Sequence, residues 1–367
     1  MLDWYDIHAR KLPWRISPQA YMHGERANPY YIWLSEIMLQ QTTVATVTAY
    51  YQKFIQKWPN IHDLAGATQD DVLTEWAGLG YYSRARNLHK TAQMIVNDYQ
   101  GNLPQDEQEL LKLSGIGRYS AASIAAIAFN IPAAVMDGNI ERIISRLYCV
   151  KTPLPQAKND LYALIKALTP SKNAGDYAQA MMDLGATICK PKKPLCDICP
   201  INQHCQAYLK DNPELYPVKI PKAKKPTHEG VIFLIIHDGK IMLQRRPDKG
   251  LFAGMEIFPY YNPHEDKKTS QNNSFASIAT ASPVDKIVDN FVEKPISRQI
   301  IGRIKHVFTH FTLLADIMVI ELACADTSIS DTRFVGLHAL NQVALPTLMT
   351  KAFKIYQDIY INPKILI

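Results

Sequence analysis

Four of the six cysteines lie close together, in the spacing Cys189-x6-Cys196-x2-Cys199-x5-Cys205. Four thiolates from one short loop can close around either a zinc ion or a cubane iron-sulfur cluster, and the spacing alone does not decide between the two. Cysteines this compressed in a chain of 367 residues do not form a disulfide scaffold. The pattern therefore predicts a metal site and a reducing compartment.

The loop between the first two of these cysteines carries Lys190, Lys192 and Lys193. A metal site would project them as a basic finger suited to a phosphate backbone, although a solvated charge run would have the same composition. The whole chain has a formal net charge of +6 and a pI near 8.8. This excess favours an anionic partner, but it is also common among proteins that do not bind nucleic acid.

Two carboxylates stand in contexts that could support acid-base chemistry. Glu36 is surrounded by large apolar side chains at helical spacing in WLSEIMLQQTT. A carboxyl group in apolar company has a raised pKa, which suits a general acid; the alternative is an exposed glutamate on a wet face shared with Gln40. Asp137 follows an apolar segment in VMDGN, and from the sequence alone it could simply cap the helix that begins at Gly138.

The stretch LSGIGR, residues 113–118, lies between two helical runs. Gly115 can take the left-handed conformation that ends the first helix, and Gly117 lets a phosphate approach the N-terminus of the second. The stretch predicts a hairpin over about residues 106–130 that grips a DNA backbone. A plain helix-turn-helix corner would use similar glycines.

The elements that must position these residues fall into two halves. From Pro29 to about Leu209, apolar residues recur at helical spacing, so this half is expected to be almost entirely helical. The next residues are rich in proline and lysine, which predicts an interdomain linker over 210–227 without a packed element. Beyond it, GVIFLIIHDGKIMLQRR predicts two strands around a turn at Asp238 and Gly239, HVFTHFTLLADIMVIEL predicts another strand run, and Pro346–Tyr356 a final helix.

Composition and the N-terminus limit the class of protein. The chain begins without a basic-then-apolar signal pattern, and its longest apolar stretch, Ala121 to Met136, is interrupted by Asn130 and Pro132. With 47% hydrophobic residues it can bury a sizeable core in two domains. We therefore expect no membrane span and a cytoplasmic location, associated with the nucleoid if the source is bacterial.

With the hairpin, the following aspartate and the cysteine loop in this order, the chain resembles the endonuclease III superfamily of base-excision glycosylases. Within it, several stretches resemble adenine DNA glycosylases of the MutY type: LSEIMLQQTTVATV, GLGYYSRARNLHK, LSGIGRYSAA, MDGNIERI and QAMMDLGATIC. They span most of residues 4 to 205. The resemblance implies an all-α helix-hairpin-helix glycosylase domain over 1–209, with one [4Fe-4S] cluster held by the loop 189–205.

A looser resemblance covers the second half of the chain. LQRRPDKGLFAGMEIFP and HVFTHF are similar to the Nudix-like domain with which this family recognises 8-oxoguanine, so we expect a smaller α+β Nudix-like domain over 228–367. The glutamate-rich helix with which Nudix hydrolases hold metal is missing after Pro259, so this domain is expected to bind and not to hydrolyse. Thr309 stands where serine is commoner in the family, and it retains the hydroxyl.

The resemblance also implies a catalytic set. Carried over residue by residue, it makes Glu36 the acid that protonates adenine N7. Asp137 becomes the carboxylate that stabilises the oxocarbenium-like sugar, and Tyr119 and Asn139 match positions that help to hold Asp137 and the sugar. The chemistry agrees, because adenine is a poor leaving group until its ring is protonated and the cationic sugar needs a nearby negative charge.

Further positions match substrate contacts of the family. Gln41 and Tyr81 match residues that wedge into the base stack while adenine is flipped out. Thr42, Leu79 and Thr309 match contacts around the oxidised guanine. The positions that match the adenine pocket are Trp14, Arg15 and Gln179. One departure is the segment Ile16–Asn28, which is longer than the family's usual connection between the LPWR and PY stretches.

The resemblance implies a monofunctional glycosylase that acts as a monomer on duplex DNA with A:8-oxoguanine or A:G mispairs. The nearest alternative is a bifunctional glycosylase-lyase for oxidised pyrimidines, which has a lysine where this chain has Tyr119. An alternative of another class is a non-catalytic iron-sulfur protein for DNA binding or electron transfer, in which Glu36 and Asp137 would be structural.

Overall fold

The computed structural model describes residues 1–221, 224–247, 249–264, 295–324 and 331–362. Contacts divide the chain into two compact units, Met1–Glu75 with Ser83–Lys222 and Trp76–Tyr82 with Ala223–Ile367. No helix of the described ranges is both long enough and apolar enough to cross a membrane.

The first half of the chain is helical, as its apolar periodicity predicts. Its helices are α1 (Leu2–His8), α2 (Pro18–Met22), α3 (Pro29–Leu39), α4 (Val44–Lys57), α5 (Ile61–Gly66), α6 (Gln69–Trp76), α7 (Ser83–Asp98), α8 (Glu107–Leu111), α9 (Arg118–Phe129), α10 (Gly138–Leu147), α11 (Lys158–Leu168), α12 (Ala174–Thr187) and α13 (Gln206–Leu209).

Helix α3 is central because it is buried on all sides from Ile32 to Met38. It starts with a proline, and the Asn28 side chain caps it by accepting a hydrogen bond from the backbone N–H of Tyr30 at 3.0 Å. Helix α9 packs against α3 and α12 through small residues. Gly175 of α12 is required there, since a Cβ would lie 2.6 Å from the Ala126 carbonyl oxygen.

The helical unit continues beyond Leu209, whereas we expected a linker without packed elements from residue 210. Pro213–Leu215 form a 3-10 turn, and the Leu154 N–H donates to the Val218 carbonyl at 2.9 Å. Because these backbone groups find partners on the helical unit, the chain stays attached to it through the first half of the expected linker.

The second unit contains a mixed sheet. The strands in its described residues are β1 (Thr227–His237), β2 (Lys240–Arg245), β3 (Glu256–Ile257), β4 (Tyr260–Tyr261), β5 (Pro295–Val307), β6 (Thr312–Leu322) and β7 (Thr332–Gly336). The order is β3-β2-β1-β6-β5, with β4 on β1 and β7 on β2; only β1 and β6 pair in parallel among these described strands. Phe233, Met242 and Ile320 are part of its core.

The predicted hairpin at Asp238 and Gly239 is confirmed, and both residues have positive φ, at 45° and 67°. The run HVFTHFTLLADIMVIEL is not one strand, because Phe308 and Phe311 close a turn between β5 and β6 with a 2.8 Å backbone hydrogen bond. The final helix is α14 (Thr347–Tyr356), as predicted. Most of the segment after Pro259, where a glutamate-rich helix was expected to be missing, lies outside the described residues.

Candidate active site

Glu36 is buried in α3, with 4% of its surface exposed, so the alternative of a wet helix face is wrong. Burial raises the pKa of its carboxyl group; the hydroxyls of Tyr119 and Ser123 and the charge of Arg15 oppose the shift, and Asp137 adds to it. Its Oε2 atom has no hydrogen-bond partner among the described residues. A buried carboxyl group with one free oxygen can hold a proton and donate it to a ligand.

Tyr119 occupies the first turn of α9, directly after the hairpin. Burial and the nearby Glu36 and Asp137 carboxylates raise the pKa of its phenol well above the usual value. The phenol therefore stays protonated and can donate a hydrogen bond to a carboxylate.

Asp137 caps α10, which agrees with the simpler interpretation of the sequence. Its Oδ1 accepts from the Ile140 N–H at 2.7 Å and its Oδ2 from the Asn139 side-chain amide at 2.9 Å. Burial raises the pKa of Asp137, while these two donors and the Arg142 charge oppose the shift. Its electrostatic effect on Glu36 also places it at the same site, so capping and a role in chemistry are compatible.

Arg142 connects this carboxylate to the cysteine loop. Its Nη2 atom donates to Asn139 Oδ1 at 2.9 Å and to the Gly185 carbonyl at 2.7 Å, and its Nε donates to the Cys189 carbonyl at 2.7 Å. Gly185 allows this approach, since a Cβ there would lie 2.5 Å from the Asn139 Cβ. The Asn139 amide is thereby fixed with its nitrogen toward Asp137.

A second polar group surrounds Asp183, which is fully buried in α12. Arg10 contacts its carboxylate at 2.5 Å and Arg15 at 2.7 Å. Two of the residues predicted for the adenine pocket, Trp14 and Gln179, are buried in the same unit at 7% and 6% exposure. The ion pair with Asp183 thus fixes the Arg15 guanidinium at a position from which its positive charge acts to lower the pKa of Glu36.

The hairpin glycines differ in what they do. Gly115 has φ +77°, as predicted, and a Cβ there would lie 2.8 Å from the Asn87 Cβ. Gly117 precedes α9, and a Cβ there would meet nothing within 4 Å. The space outside Gly117 is open, so a phosphate can approach the N-terminus of α9.

The turn after α3 places Gln41 at the surface with φ +60°, a conformation that is strained for a residue other than glycine. Arg84 of α7, with 6% exposure, holds this turn, and its Nη2 donates to the Thr42 hydroxyl at 3.0 Å. Its Nη1 donates to the C-terminal carbonyls of α3 and the residue after it, Ile37 at 3.1 Å, Met38 at 2.7 Å and Gln40.

Three predicted contacts lie in the second unit. Tyr81 has φ +48° and is 49% exposed. Leu79 is buried, with 5% exposure. Thr309 is exposed in the turn between β5 and β6.

The four clustered cysteines line one pocket with Arg146 and apolar side chains. Arg146 Nη1 lies 3.2 Å from Cys189 Sγ, and its guanidinium also donates to the carbonyls of Lys190 and Pro191 at 2.8 and 3.0 Å. Four thiols that line one pocket can serve as the ligands of a metal site.

Sequence reasoning missed six side chains at these sites: Arg10, Arg84, Ser123, Arg142, Arg146 and Asp183. Asp183 and Arg84 lie inside stretches that carry the family resemblance, QAMMDLGATIC and GLGYYSRARNLHK. Their spacing offers one signal, because Asp183 lies four residues after Gln179 and therefore on the same helix face.

Three family models match the chain. The HhH-GPD superfamily of base excision DNA repair proteins matches residues 34–168, the iron-sulfur binding domain of endonuclease III matches 189–205, and the NUDIX domain matches 231–354. The two parts of the fold and the cysteine loop are thus each recognised separately, and a [4Fe-4S] cluster is the cofactor that the loop fits.

Curated relatives named adenine DNA glycosylase match over nearly the whole chain. The protein of Buchnera aphidicola subsp. Baizongia pistaciae is 32% identical over 96% of this chain and 94% of its own length. The Mus musculus protein is 30% identical over 98% of this chain and 77% of its own. The Arabidopsis thaliana protein is 35% identical over 88% of this chain, which covers 57% of that relative.

Proposed function

Because the chain belongs to the family of adenine DNA glycosylases of base excision repair, we propose that it removes adenine from A:8-oxoguanine and A:G mispairs in duplex DNA. The observation that carries the proposal is the Glu36 carboxyl group, buried beside Asp137 with one oxygen free of any partner among the described residues. Such a group keeps its proton near neutral pH more readily than an exposed glutamate.

In the proposed reaction, Glu36 donates a proton to N7 of an extruded adenine. Protonation withdraws electrons from the N-glycosyl bond, which breaks with both bonding electrons leaving on the base. Asp137, ionised and held by the Ile140 N–H and the Asn139 amide, stabilises the positive charge that develops on the sugar. Water then adds to C1′ and loses a proton, which completes the hydrolysis.

In this proposal the two carboxyl groups take different roles because they accept different hydrogen bonds. Asp137 accepts two hydrogen bonds, which favour its charged form. Glu36 leaves one oxygen without any partner in the described part of the chain, which disfavours its charged form. The pair is thereby arranged as an acid and a carboxylate, as in other enzymes that cleave glycosidic bonds.

We propose that the surrounding elements hold and open the duplex. The hairpin around Gly115 and Gly117 offers backbone N–H groups to a phosphate, and the lysines of the loop 189–205 add positive charge for the backbone. Gln41 and Tyr81, both exposed in left-handed turns, would enter the stack as adenine leaves it.

Cys189, Cys196, Cys199 and Cys205 would hold the [4Fe-4S] cluster, which supplies structural closure of their loop. Thr309 in the Nudix domain would contact the oxidised guanine through its hydroxyl. We propose that one chain suffices, since it carries both the acids and the lesion contact. The cysteines, which need a reducing compartment, favour a cytoplasmic location, at the nucleoid in a bacterium.

Strand scission after alkali is the direct test. Duplexes would carry adenine opposite 8-oxoguanine, guanine or thymine, with thymine glycol as the substrate of the rival activity. We expect cleavage at adenine in the two mispairs, and Asp137→Asn should lower the single-turnover rate by about 10²-fold or more while duplex binding remains. Cleavage at thymine glycol without cleavage at adenine would refute the proposal.

A further inference from the structure

The turn between β5 and β6 exposes Thr309, although it contains neither a glycine nor a proline that would fix its backbone. It is closed by the Phe308 N–H, which donates to the Phe311 carbonyl at 2.8 Å. An exposed turn with one such hydrogen bond can adopt several conformations, and it loses conformational entropy when a ligand orders it. The position of Thr309 therefore depends on what else holds the turn.

The segment just before β1, at the end of the expected linker, binds this turn on both sides. Lys225 Nζ donates to the Phe308 carbonyl at 2.9 Å. The Thr312 N–H donates to the Pro226 carbonyl, also at 2.9 Å, and the parallel pairing of β1 with β6 begins at this point. One hydrogen bond thus lies before Thr309 in the chain and one lies after it.

His228, near the start of β1, packs its ring against the same turn. Its ring is nearly parallel to that of Phe311, with 4.4 Å between the centroids and 16° between the planes. The His264 ring stacks on His228 at 4.2 Å, and the Phe311 ring lies 4.7 Å from that of Phe308. The two phenylalanines that close the turn are therefore connected to β1 by aromatic contacts.

His228 acts in this stack through the face of its ring. Its Nδ1 atom is buried and has no hydrogen-bond partner in the described part of the chain. Burial and, to a smaller extent, the His264 ring lower the pKa of His228, so the imidazole is uncharged at neutral pH. A phenylalanine at this position would therefore keep the stack, whereas an alanine would remove it.

We propose that Lys225 and His228 are positioning residues that fix the turn in the conformation in which Thr309 contacts the oxidised guanine. The inference rests on the proposed function, since that function makes Thr309 the lesion contact. Lys225 holds the carbonyl directly before Thr309, and His228 holds the phenylalanine two residues after it. A turn that is ordered before DNA binds loses less conformational entropy at the lesion, so the benefit is confined to the mispair that contains 8-oxoguanine.

Single-turnover excision by the full-length protein, at subsaturating concentration, tests this on adenine opposite 8-oxoguanine and opposite guanine. We expect His228→Ala and Lys225→Met each to lower the ratio of the two rates by about threefold or more. His228→Phe and Lys225→Arg should retain it, because they keep the ring and the donor. Lys224→Met removes the same charge one residue earlier and should match wild type. A merely structural role would lower both rates together.

Amide hydrogen exchange of the protein without DNA reports on the turn independently of activity. In His228→Ala and Lys225→Met, the Phe308 and Thr312 amides should exchange faster than in wild type, while those of the hairpin between β1 and β2 should not change. Unchanged exchange in both variants would overturn the proposal, and so would faster exchange with an unchanged ratio of rates. Failure of the proposed function looks different, because neither mispair would be cleaved while the two amides still respond to the variants.

Discussion

Glu36 and Asp137 are two carboxylates that the fold treats differently. Glu36 is held among apolar side chains with an oxygen that has no partner in the described residues, and Asp137 at a helix N-terminus with two donors. Burial raises both pKa values, but only Asp137 accepts backbone N–H hydrogen bonds that stabilise its charged form. The difference between acid and carboxylate is therefore built from local geometry, not from residue type.

Glu36→Gln is expected to stabilise the protein at pH 8 while abolishing excision. Burial raises the folded-state pKa of Glu36. Below the unfolded-state pKa, both states hold the proton and no charge is buried. As the pH rises from the unfolded-state pKa through the folded-state pKa, the unfolded state ionises first, so the wild type loses stability until its buried carboxyl group also ionises. The variant has no such cost, so its Tm advantage should grow with pH, at about 2–4 °C per kcal/mol for a domain of this size.

Thermal unfolding of both proteins between pH 5 and 8 measures this difference. A variant less stable than wild type at pH 8 would mean that hydrogen-bond partners stabilise the Glu36 carboxylate, so that Glu36 is not held ready as a proton donor. Wild-type excision should fall only as the pH rises through the folded-state pKa, at the upper end of the range in which stability falls, because the protonated form is the active one.

We propose that Tyr119 determines whether the DNA strand stays intact once the base has been removed. Strand cleavage by β-elimination needs an amine that attacks C1′ and forms a Schiff base, and a protonated phenol cannot do so. Arg118 does not substitute, because a guanidinium stays charged. Borohydride should therefore trap no stoichiometric complex with wild type during turnover, whereas Tyr119→Lys should gain some. A full covalent complex with wild type would contradict a monofunctional reaction.

At the scale of residues, the sequence predicts an arrangement of side chains when all of them lie within one motif. The apolar neighbours of Glu36 predict its burial, because they lie on the same helix. The ion pairs of Asp183 with Arg10 and Arg15 join residues 173 and 168 positions apart. No local pattern encodes such a pairing, so it could not be predicted.

At the scale of elements, the contacts at the C-terminal end of α3 hold the strained turn that follows this helix. Arg84 occupies carbonyls that a helix end leaves without partners, and its second branch reaches Thr42. These hydrogen bonds hold the residues on either side of Gln41, which has a positive φ. We propose that Arg84 is a positioning residue for base extrusion, acting through Gln41.

Arg84→Ala should impair extrusion more than binding. Loss of several charge-assisted hydrogen bonds is expected to destabilise the fold by about 2–4 kcal/mol. At a temperature where the variant is folded, fluorescence of 2-aminopurine in place of adenine should rise less on binding. Arg84→Lys should recover part of the signal, and Lys90→Ala, an exposed change on α7, should match wild type. An unchanged fluorescence rise in Arg84→Ala would remove Arg84 from this role.

The loop 189–205 is the second element that is held by an arginine distant from it in the sequence. Cys199→Ser should lower the iron content, the brown colour and the DNA affinity together, because a loop without its cluster no longer holds the lysines in place. Cys324→Ser, an exposed cysteine of the other unit, is the matched control. One zinc and no iron in the wild type would refute the cluster.

Element boundaries were predictable where a strong local signal marks them. Asp238-Gly239 fixes a hairpin because both residues tolerate positive φ. The turn at 308–311 has the sequence Phe-Thr-His-Phe, in which no glycine or proline marks the break between the strands. The expected linker is proline-rich, yet its backbone groups bind to the helical unit, which composition does not reveal.

At the scale of the whole molecule, the proposed function assigns chemistry and lesion recognition to different units. Glu36, Asp137 and the cysteine loop lie in the helical unit, and Thr309 lies in the sheet unit. The α+β composition of the second unit was predictable from its strand runs and its final helix. Its role rests on the family resemblance, because an exposed threonine in a turn has no chemical signature of its own.

A chain that ends at residue 221 retains the Leu154 to Val218 and Arg146 to Tyr216 hydrogen bonds, which a chain ending at Leu209 would lose. We expect the longer truncation to be the more stable of the two and still to excise adenine, since it contains both carboxylates. It should discriminate poorly between 8-oxoguanine and guanine opposite adenine, because the hydroxyl of Thr309 is gone.

Thr309→Val in the full chain should reduce the same preference in part, and Thr309→Ser should keep it. Single-turnover rates on the two mispairs measure the preference, and a truncated enzyme with an undiminished ratio would show that the helical unit recognises the lesion by itself.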